Sequence, residues 1–512
     1  MTGSEMFRGR TGRIAWLWVG AVSVLLIACS PSEPPPAGEE AAPPPAEYAR
    51  DEATRTAPVD EERPGAAAAA HGIDAVPARR TLVIEGVNVV ATDEPRVDTG
   101  RTVVVRDGRI TQVGAAGEVD APDDALRIDG SGRYLVPGLA EMHGHLPGAG
   151  ADPEHTANIL FLYVANGITL VRGMQGHESQ LRVREAIEAG EMLGPRLVLG
   201  SPAQGWGNTP EADEAAARVR EYHEAGYDLV KIGEGPDPET FDIIIETARE
   251  VGLPVGGHVP DEVGIERSME AGIVTIDHLD NYLEALVPEE YRADIAPLWG
   301  VASVAEHFDT ARIPTLVELT VERDVAQVPT MVLWEIFFGD RSGETLRAEM
   351  DETRYWPAEM VDNWVEGVAA RHEAIGHPEG ASRVVDTRRD VFRALHEAGA
   401  TFLLGTDSPQ LFSVPGFMQH REMALWVELG MTPWEVIHAG TRAVAEHFGE
   451  ADESGAVCEG CRADLVLLEA NPLDDIEHFT RRAGVVVDGR WLPESEIQAR
   501  LEAIAGAAQA GR

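Results

Sequence analysis

Residues 139–145 read LAEMHGH, an apolar run that ends in His143-Gly144-His145. On an extended chain, residues two apart point the same way, so both imidazoles can reach one ion. Alone, an HxH pair is a weak signal, because two surface histidines look the same. Its weight comes from seven further strand-like runs: ITLVR (168–172), RLVLG (196–200), DLVKI (228–232), PVGGH (254–258), VTIDH (274–278), VPTMV (328–332) and TFLLGT (401–406). Helical stretches separate most of them, and EADEAAARVREYHEAG (211–226) is a clear one. Eight such units predict an α/β fold, a (β/α)8 barrel whose polar strand ends gather at one mouth. The stretches 281–327 and 333–382 are longer than ordinary connections and predict extra helices over that mouth.

The strand ends carry the chemistry. Besides His143 and His145, the runs end in or hold Lys231, His258 and His278, and Asp407 follows the last. Neutral imidazoles with a carboxylate suit Zn²⁺ or a similar divalent ion. Lys231 stands out because Lys+Arg is 42 and Lys231 is the one lysine among them. A buried amine sheds its charge penalty by deprotonating. A neutral amine can add CO₂ to form an anionic carbamate with two oxygens, able to bridge two metals, which arginine cannot do. The bland alternative is a lysine in a salt bridge. A Schiff-base lysine is a further reading, although that chemistry does not call for four histidines nearby.

The flanking segments have a different texture. Period-two, β-branched runs punctuated by Gly and Asp (TLVIEGVNVV, RTVVVRDGRI, GRYLV) precede the first barrel run, and ADLVLLE and GVVVDGRWL follow the last. These predict hairpin strands from both chain ends that combine into one small β domain. Upstream, residues 30–78 contain ten Pro and ten Asp/Glu and read as a solvated tether. Arg8, Arg10 and Arg13 precede a 14-residue apolar run, 14–27, too short for a permanent span and suited to a signal peptide. Leu26-Ile27-Ala28-Cys29 resembles the lipobox of bacterial lipoproteins. That resemblance implies cleavage before Cys29, its acylation, and a lipid-anchored place in the cell envelope, with the outer membrane or periplasmic face expected. The formal net charge of −45 argues against nucleic acid as a partner.

Taken with YLVPGLAEMHGHL, NGITLVRG, GYDLVKIGEG, VGGHVP, TIDHLD, LLGTDSP and GMTPWEVIHAGT, the set resembles the amidohydrolase superfamily. Within it, the imidazolonepropionase-like and prolidase-like metal-dependent hydrolases are the nearest in pattern. GAVCEGCRADLVLLEANPLDDI resembles that family's closing strands, and the likeness runs from about residue 80 to 495. The resemblance implies a TIM-like barrel with a small β-sandwich built from both chain ends. It implies one metal on His143, His145 and Asp407, another on His258 and His278, and a carboxylated Lys231 bridging them. The implied domains are a signal peptide (1–28), tether (29–78), β-sandwich (79–137 and 449–500), barrel (138–448) and tail (501–512). Two positions depart from the pattern: Glu141 stands where the family commonly has Asp, and Arg172 is followed by Gly173 where it commonly has Asp.

The implied activity is a binuclear hydrolase that cleaves an amide bond in dipeptides, Xaa-Pro or similar, or in N-acyl amino acids. A metal-bridging hydroxide attacks the carbonyl, Asp407 shuttles the proton, and His278 helps orient the substrate. A cyclic-amide hydrolase, lactonase or deaminase is the alternative on the same fold, and a non-enzymatic metal-binding surface lipoprotein is a further one. Arg172, His420 and Tyr282 are candidates to face substrate, against an ordinary salt bridge for Arg172 and a helix-packing role for His420, with Trp206 and Glu234 as further pocket candidates. His396 is expected to be structural. Cys458 and Cys461 form a lone CxxC, read as a local disulfide or as free thiols. A homo-oligomer is left open.

Overall fold

The computed structural model describes residues 76–205, 208–295 and 300–510. The signal peptide, Cys29, nearly all of the tether, and Trp206 lie outside the described residues. No helix among the described residues is long and apolar enough to cross a membrane.

The two chain ends meet in one mixed sheet. Its strands are β1 (Leu82–Val90), β2 (Val97–Arg106), β3 (Arg109–Ala115), β4 (Leu126–Asp129), β5 (Tyr134–Pro137), then β13 (Leu465–Leu468), β14 (Arg482–Val487) and β15 (Arg490–Pro493). The order is β15-β14-β13-β5-β1-β2-β3, with β4 also pairing β1. Two hairpins within it follow directly from local sequence. Asp107-Gly108 joins β2 to β3 at φ 50° and 79°, and Asp488-Gly489 joins β14 to β15 at φ 50° and 72°. A two-residue turn that matches the right-handed strand twist needs positive φ at both positions, which Asp-Gly tolerates. The two turns stack, because a Cβ on Gly489 would lie 2.7 Å from Gly108 Cα. The long-range join is antiparallel β5–β13, with Leu135 opposite Leu467 and Pro137 opposite Leu465. Period-two alternation then sorts β13: Leu465 and Leu467 enter the sheet's own core with Leu82, Ile84 and Val103, while Val466 and Leu468 pack into the main core. The β5, β13 and β14 part of the sheet thus packs against the main core, while β2, β3 and β4 keep exposed positions. The segment read as a tail continues the helix Glu494–Ala510.

The fold between these ends is TIM-barrel-like α/β. Parallel strands β6 (Leu139–Gly144), β7 (Ile168–Gly173) and β8 (Arg196–Leu199) form one sheet. Parallel strands β9 (Val230–Ile232), β10 (Val255–Gly257), β11 (Thr275–Asp277) and β12 (Ala326–Val328) form another. Single bridges relate their edges: Gly200 with Leu229, Gln327 with Phe402, and Gly144 with Ser408. The extended stretch 401–408 therefore lies between β12 and β6, in the eighth place. Regular pairing is interrupted at these joins, so the named strands form two sheets. The helices Pro153–Ala165, Glu178–Glu188, Ala212–Ala225, Pro238–Val251 and Ile265–Ala271 separate successive strands. The seventh run is placed two residues early by comparison with its reading: the strand is Ala326–Val328, and Met331 already begins the helix Met331–Phe338. The apolar residues of VPTMV serve both elements, so hydrophobicity alone did not locate the boundary. The long stretches carry the extra helices expected, including Ile313–Glu322 and Ala358–Ile375.

Candidate metal centre

Strand order brings the six expected donors to one end of the sheets. Asp407 N donates to the His143 carbonyl and His145 N to the Ser408 carbonyl, each at 2.7 Å. This pairing sets Asp407 against the HxH pair. His145 Nε2 lies 2.6 Å from Asp407 Oδ1, His143 Nε2 lies 3.5 Å from the same oxygen, and His278 Nε2 lies 3.8 Å from Oδ2. The His143 ring centre is 4.4 Å from that of His278, which is 4.7 Å from that of His258. His278 and Asp407 both have φ 62°, so each side chain is turned sharply as its strand ends. His143, His278 and Asp407 present donor atoms within 4.8 Å of one another, and so do Glu234, His258 and Asp280.

Lys231 enters the centre from β9, fully buried. Its Nζ lies 3.7 Å from Asp277 Oδ2 and has no hydrogen-bond partner among the described residues. Gly257 makes this path possible, because a Cβ there would lie 2.8 Å from Lys231 Cδ. Burial lowers the Lys231 ammonium below its ordinary range, against the pull of Asp277 and Asp407. Burial, reinforced by Lys231, also depresses His143 well below the usual imidazole value and His258 to about 3. These rings are held neutral, as metal ligands must be. His278 Nε2 is buried and makes no hydrogen bond among the described residues, like Lys231 Nζ. Buried polar atoms without partners are costly and rare, and here they border a carboxylate and three more imidazoles. The residues fit divalent ions by their chemistry and by these two open donors.

Beneath the donors lies a supporting layer, in which the sequence marks Glu141 and the Arg172-Gly173 step as departures but does not mark Asp277. Asp277, on β11, accepts from His143 Nδ1 at 2.7 Å and from Arg172 Nη2 at 3.0 Å. Arg172 also donates to the Met142 carbonyl at 2.5 Å and to Thr275 Oγ1 at 3.2 Å. Of the two readings of Arg172 the salt bridge holds and the substrate contact is corrected: all three guanidinium nitrogens are committed to buried partners beneath the donors. The available signal was an aspartate inside an otherwise apolar run, VTIDH, which requires a buried partner. Glu141 has a comparable task. Its carboxylate accepts from His143 N at 3.0 Å, Thr406 N at 2.7 Å and Thr406 Oγ1 at 2.5 Å, tying β6 to the eighth segment. Burial raises this carboxyl to about 8.

Two other expectations are corrected. Tyr282 is buried with its hydroxyl 2.5 Å from Thr320 Oγ1 in a helix contact, so it does not face a substrate. His420, on the helix Phe417–Glu428, buries both ring nitrogens without hydrogen bonds and feels the charge of Arg482 on β14, away from the donors. An imidazole on a partly apolar helix gives no sign of which side it will take. Glu234 lies 3.9 Å from His258 Nδ1, near the centre. His396 pairs with Glu435 at 3.2 Å. Cys458 and Cys461 are joined as a disulfide.

Residues 134–492 match the model of the Amidohydrolase family. Ochratoxinase of Aspergillus niger is 25% identical over 471 residues, covering 78% of this chain and 84% of that protein. Imidazolonepropionase of Mycolicibacterium smegmatis is 24% identical over 438 residues, covering 81% of this chain and 97% of that protein. Among solved structures, a Xaa-Pro dipeptidase with methionine bound in its active site matches with a TM-score of 0.59 and 20% identity, over 81% of this chain and all of that one. At that identity the likeness is one of fold.

Proposed function

The chain belongs to the amidohydrolase family and is a hydrolytic enzyme; from that premise we propose a binuclear metal-dependent hydrolase cleaving an amide bond in a dipeptide or an N-acyl amino acid. The observation that carries this reading is the solitary lysine, its amine buried and without a hydrogen bond beside four imidazoles and Asp407. In this reading His143, His145 and Asp407 would hold one ion and His258 and His278 the other. Lys231, once carboxylated on its uncharged amine, would supply an anionic ligand to this centre. The bridges at Gly200, Gln327 and Gly144 support describing the core as a closed (β/α)8 barrel.

Two such ions, zinc being the expected metal, would when bound supply Lewis-acid chemistry and a water ionisable near neutral pH. The protein's own groups do the rest. Asp407 takes the proton of the attacking water and delivers it to the leaving nitrogen, which departs as a neutral amine. His278 orients the carbonyl. Asp277 and Glu141 hold His143 by its ring and its backbone, so the reacting geometry costs little reorganisation. The lipid anchor at Cys29 and a cell-envelope location are proposed on the N-terminal sequence alone.

The test is to load the purified protein with Zn²⁺ and bicarbonate and measure metal per chain. It is then assayed against dipeptides, N-acyl amino acids, cyclic amides and lactones. About two ions per chain and chelator-sensitive release of a free amino acid are expected. Metal binding with no turnover on any class would leave a binding lipoprotein, and turnover confined to cyclic amides or lactones would move the activity within the family.

A further inference from the structure

Thr330 stands between β12 and the helix Met331–Phe338 with φ 44° and ψ 47°. It is completely buried. The left-handed region is uncommon for any residue with a Cβ and a true outlier for a β-branched one. Such strain persists where the surroundings over-determine it, and it gathers at functional sites. Here its consequence can be read directly: Thr330 Oγ1 lies 2.9 Å from His278 Nδ1.

Two groups pin the turn. Glu422, wholly buried on the helix Phe417–Glu428, accepts from Met331 N at 2.7 Å through Oε1 and from Val332 N at 2.8 Å through Oε2. Trp426 Nε1 donates to the same Oε1 at 2.7 Å and fixes the carboxylate. Thr330 cannot relax without drawing the next two amides off a buried carboxylate. On the other side, Arg388 donates to the His278 carbonyl and, at 3.4 Å, to that of Pro329. The backbone before Thr330 and the backbone of His278 are thereby held by one guanidinium.

We infer that Thr330 is a positioning residue for His278, and that Glu422 holds Thr330 in the strained conformation this requires. The inference rests on the proposed metal centre. An imidazole that offers Nε2 as a lone pair carries its proton on Nδ1, and that proton needs an acceptor. Thr330 Oγ1 supplies it, leaving Nε2 aimed toward Asp407 Oδ2. An unstrained residue at 330 would carry its side chain elsewhere, and the ring would lose both its tautomer and its aim.

The test separates positioning from packing by exploiting the strain. Glycine adopts φ 44° without penalty, so Thr330→Gly relieves the strain while removing Oγ1. The metal-free variant should remain folded with a Tm near wild type, the relieved strain offsetting the lost Oγ1 contact to His278. Its affinity for one Zn²⁺, read by metal retained against graded chelator, should fall about 10- to 100-fold. Thr330→Ser, which keeps the hydroxyl, should hold that ion within about twofold of wild type, and Thr330→Val should lose it as glycine does. Glu422→Gln should weaken the same ion, but add little to the loss already caused by Thr330→Gly, because both act through one bond. Wild-type metal retention by Thr330→Gly would overturn the inference and leave the metal centre standing. A wild-type protein that retains no metal would overturn both. Should the valine variant fail to fold, the glycine variant decides alone.

Discussion

Replacing Arg172 with methionine tests how the centre is built from below. Arg172 is 1% exposed and Asp277 is 0% exposed, with Nη2 and Oδ1 3.0 Å apart. At an effective dielectric of about 20, two unit charges at that distance attract by about 5 kcal/mol. Removing one partner of such a pair leaves a charge in the interior and costs about 3–5 kcal/mol. Two further hydrogen bonds, to Met142 and Thr275, are lost with it. Asp277 keeps the hydrogen bond from His143 Nδ1 at 2.7 Å, so the loss stays in the lower part of the range. Arg172→Met is therefore expected to destabilise the metal-free protein by about 3 kcal/mol in equilibrium urea unfolding. Asp277→Leu should cost a similar amount. The double variant should cost less than the two singles together by at least about 2 kcal/mol, since no unpaired charge remains. A loss below about 1 kcal/mol for Arg172→Met, with a coupling near zero, would refute this account. Unchanged stability with a sharply raised KM would return Arg172 to the substrate.

Asp407→Asn should retain metal yet lose nearly all turnover, read by kcat at saturating substrate, because an amide cannot carry the proton; near-wild-type turnover removes Asp407 from that role. Lys231→Arg should lose turnover and bound metal together, since a guanidinium forms no carbamate; metal content near wild type would count against the bridging lysine. Burial holds the His420 imidazole down at about 3, below its ordinary 6.5. The unfolded chain therefore binds the proton first, and stability contributed by neutral His420 is present above pH 6.5 and lost as the pH falls toward 3. His420→Gln should flatten that acid limb by a few kcal/mol at about pH 4, in urea unfolding across the range; an unchanged slope would mean that the ring is open to water. The Cys458–Cys461 link closes a loop with a sequence separation of 3, so Cys458→Ser/Cys461→Ser should cost about 2 kcal/mol at most and leave kcat unaltered.

Much of the centre was legible because strand ends are local. HGH, VGGH and TIDH announce their donors by position in an apolar run, and a chain that uses arginine almost everywhere marks its lysine. The Asp-Gly hairpins were equally local, requiring only two left-handed residues in sequence. Arg172, Tyr282 and His420 were not legible. Their targets, Asp277, Thr320 and the surroundings of Arg482, lie 105, 38 and 62 residues away. Thr330 was hidden inside VPTMV, whose apolar character suggested one more strand residue where the chain turns.

Sequence alone pointed to the family, to a TIM-barrel-like α/β fold and to the candidate donors, because each depends on residue type and short spacing. The tertiary structure decided which polar groups look into the mouth and which brace it from below. A side chain's direction past a strand end turns on one backbone angle and on partners from distant elements, and neither is written in the neighbouring residues.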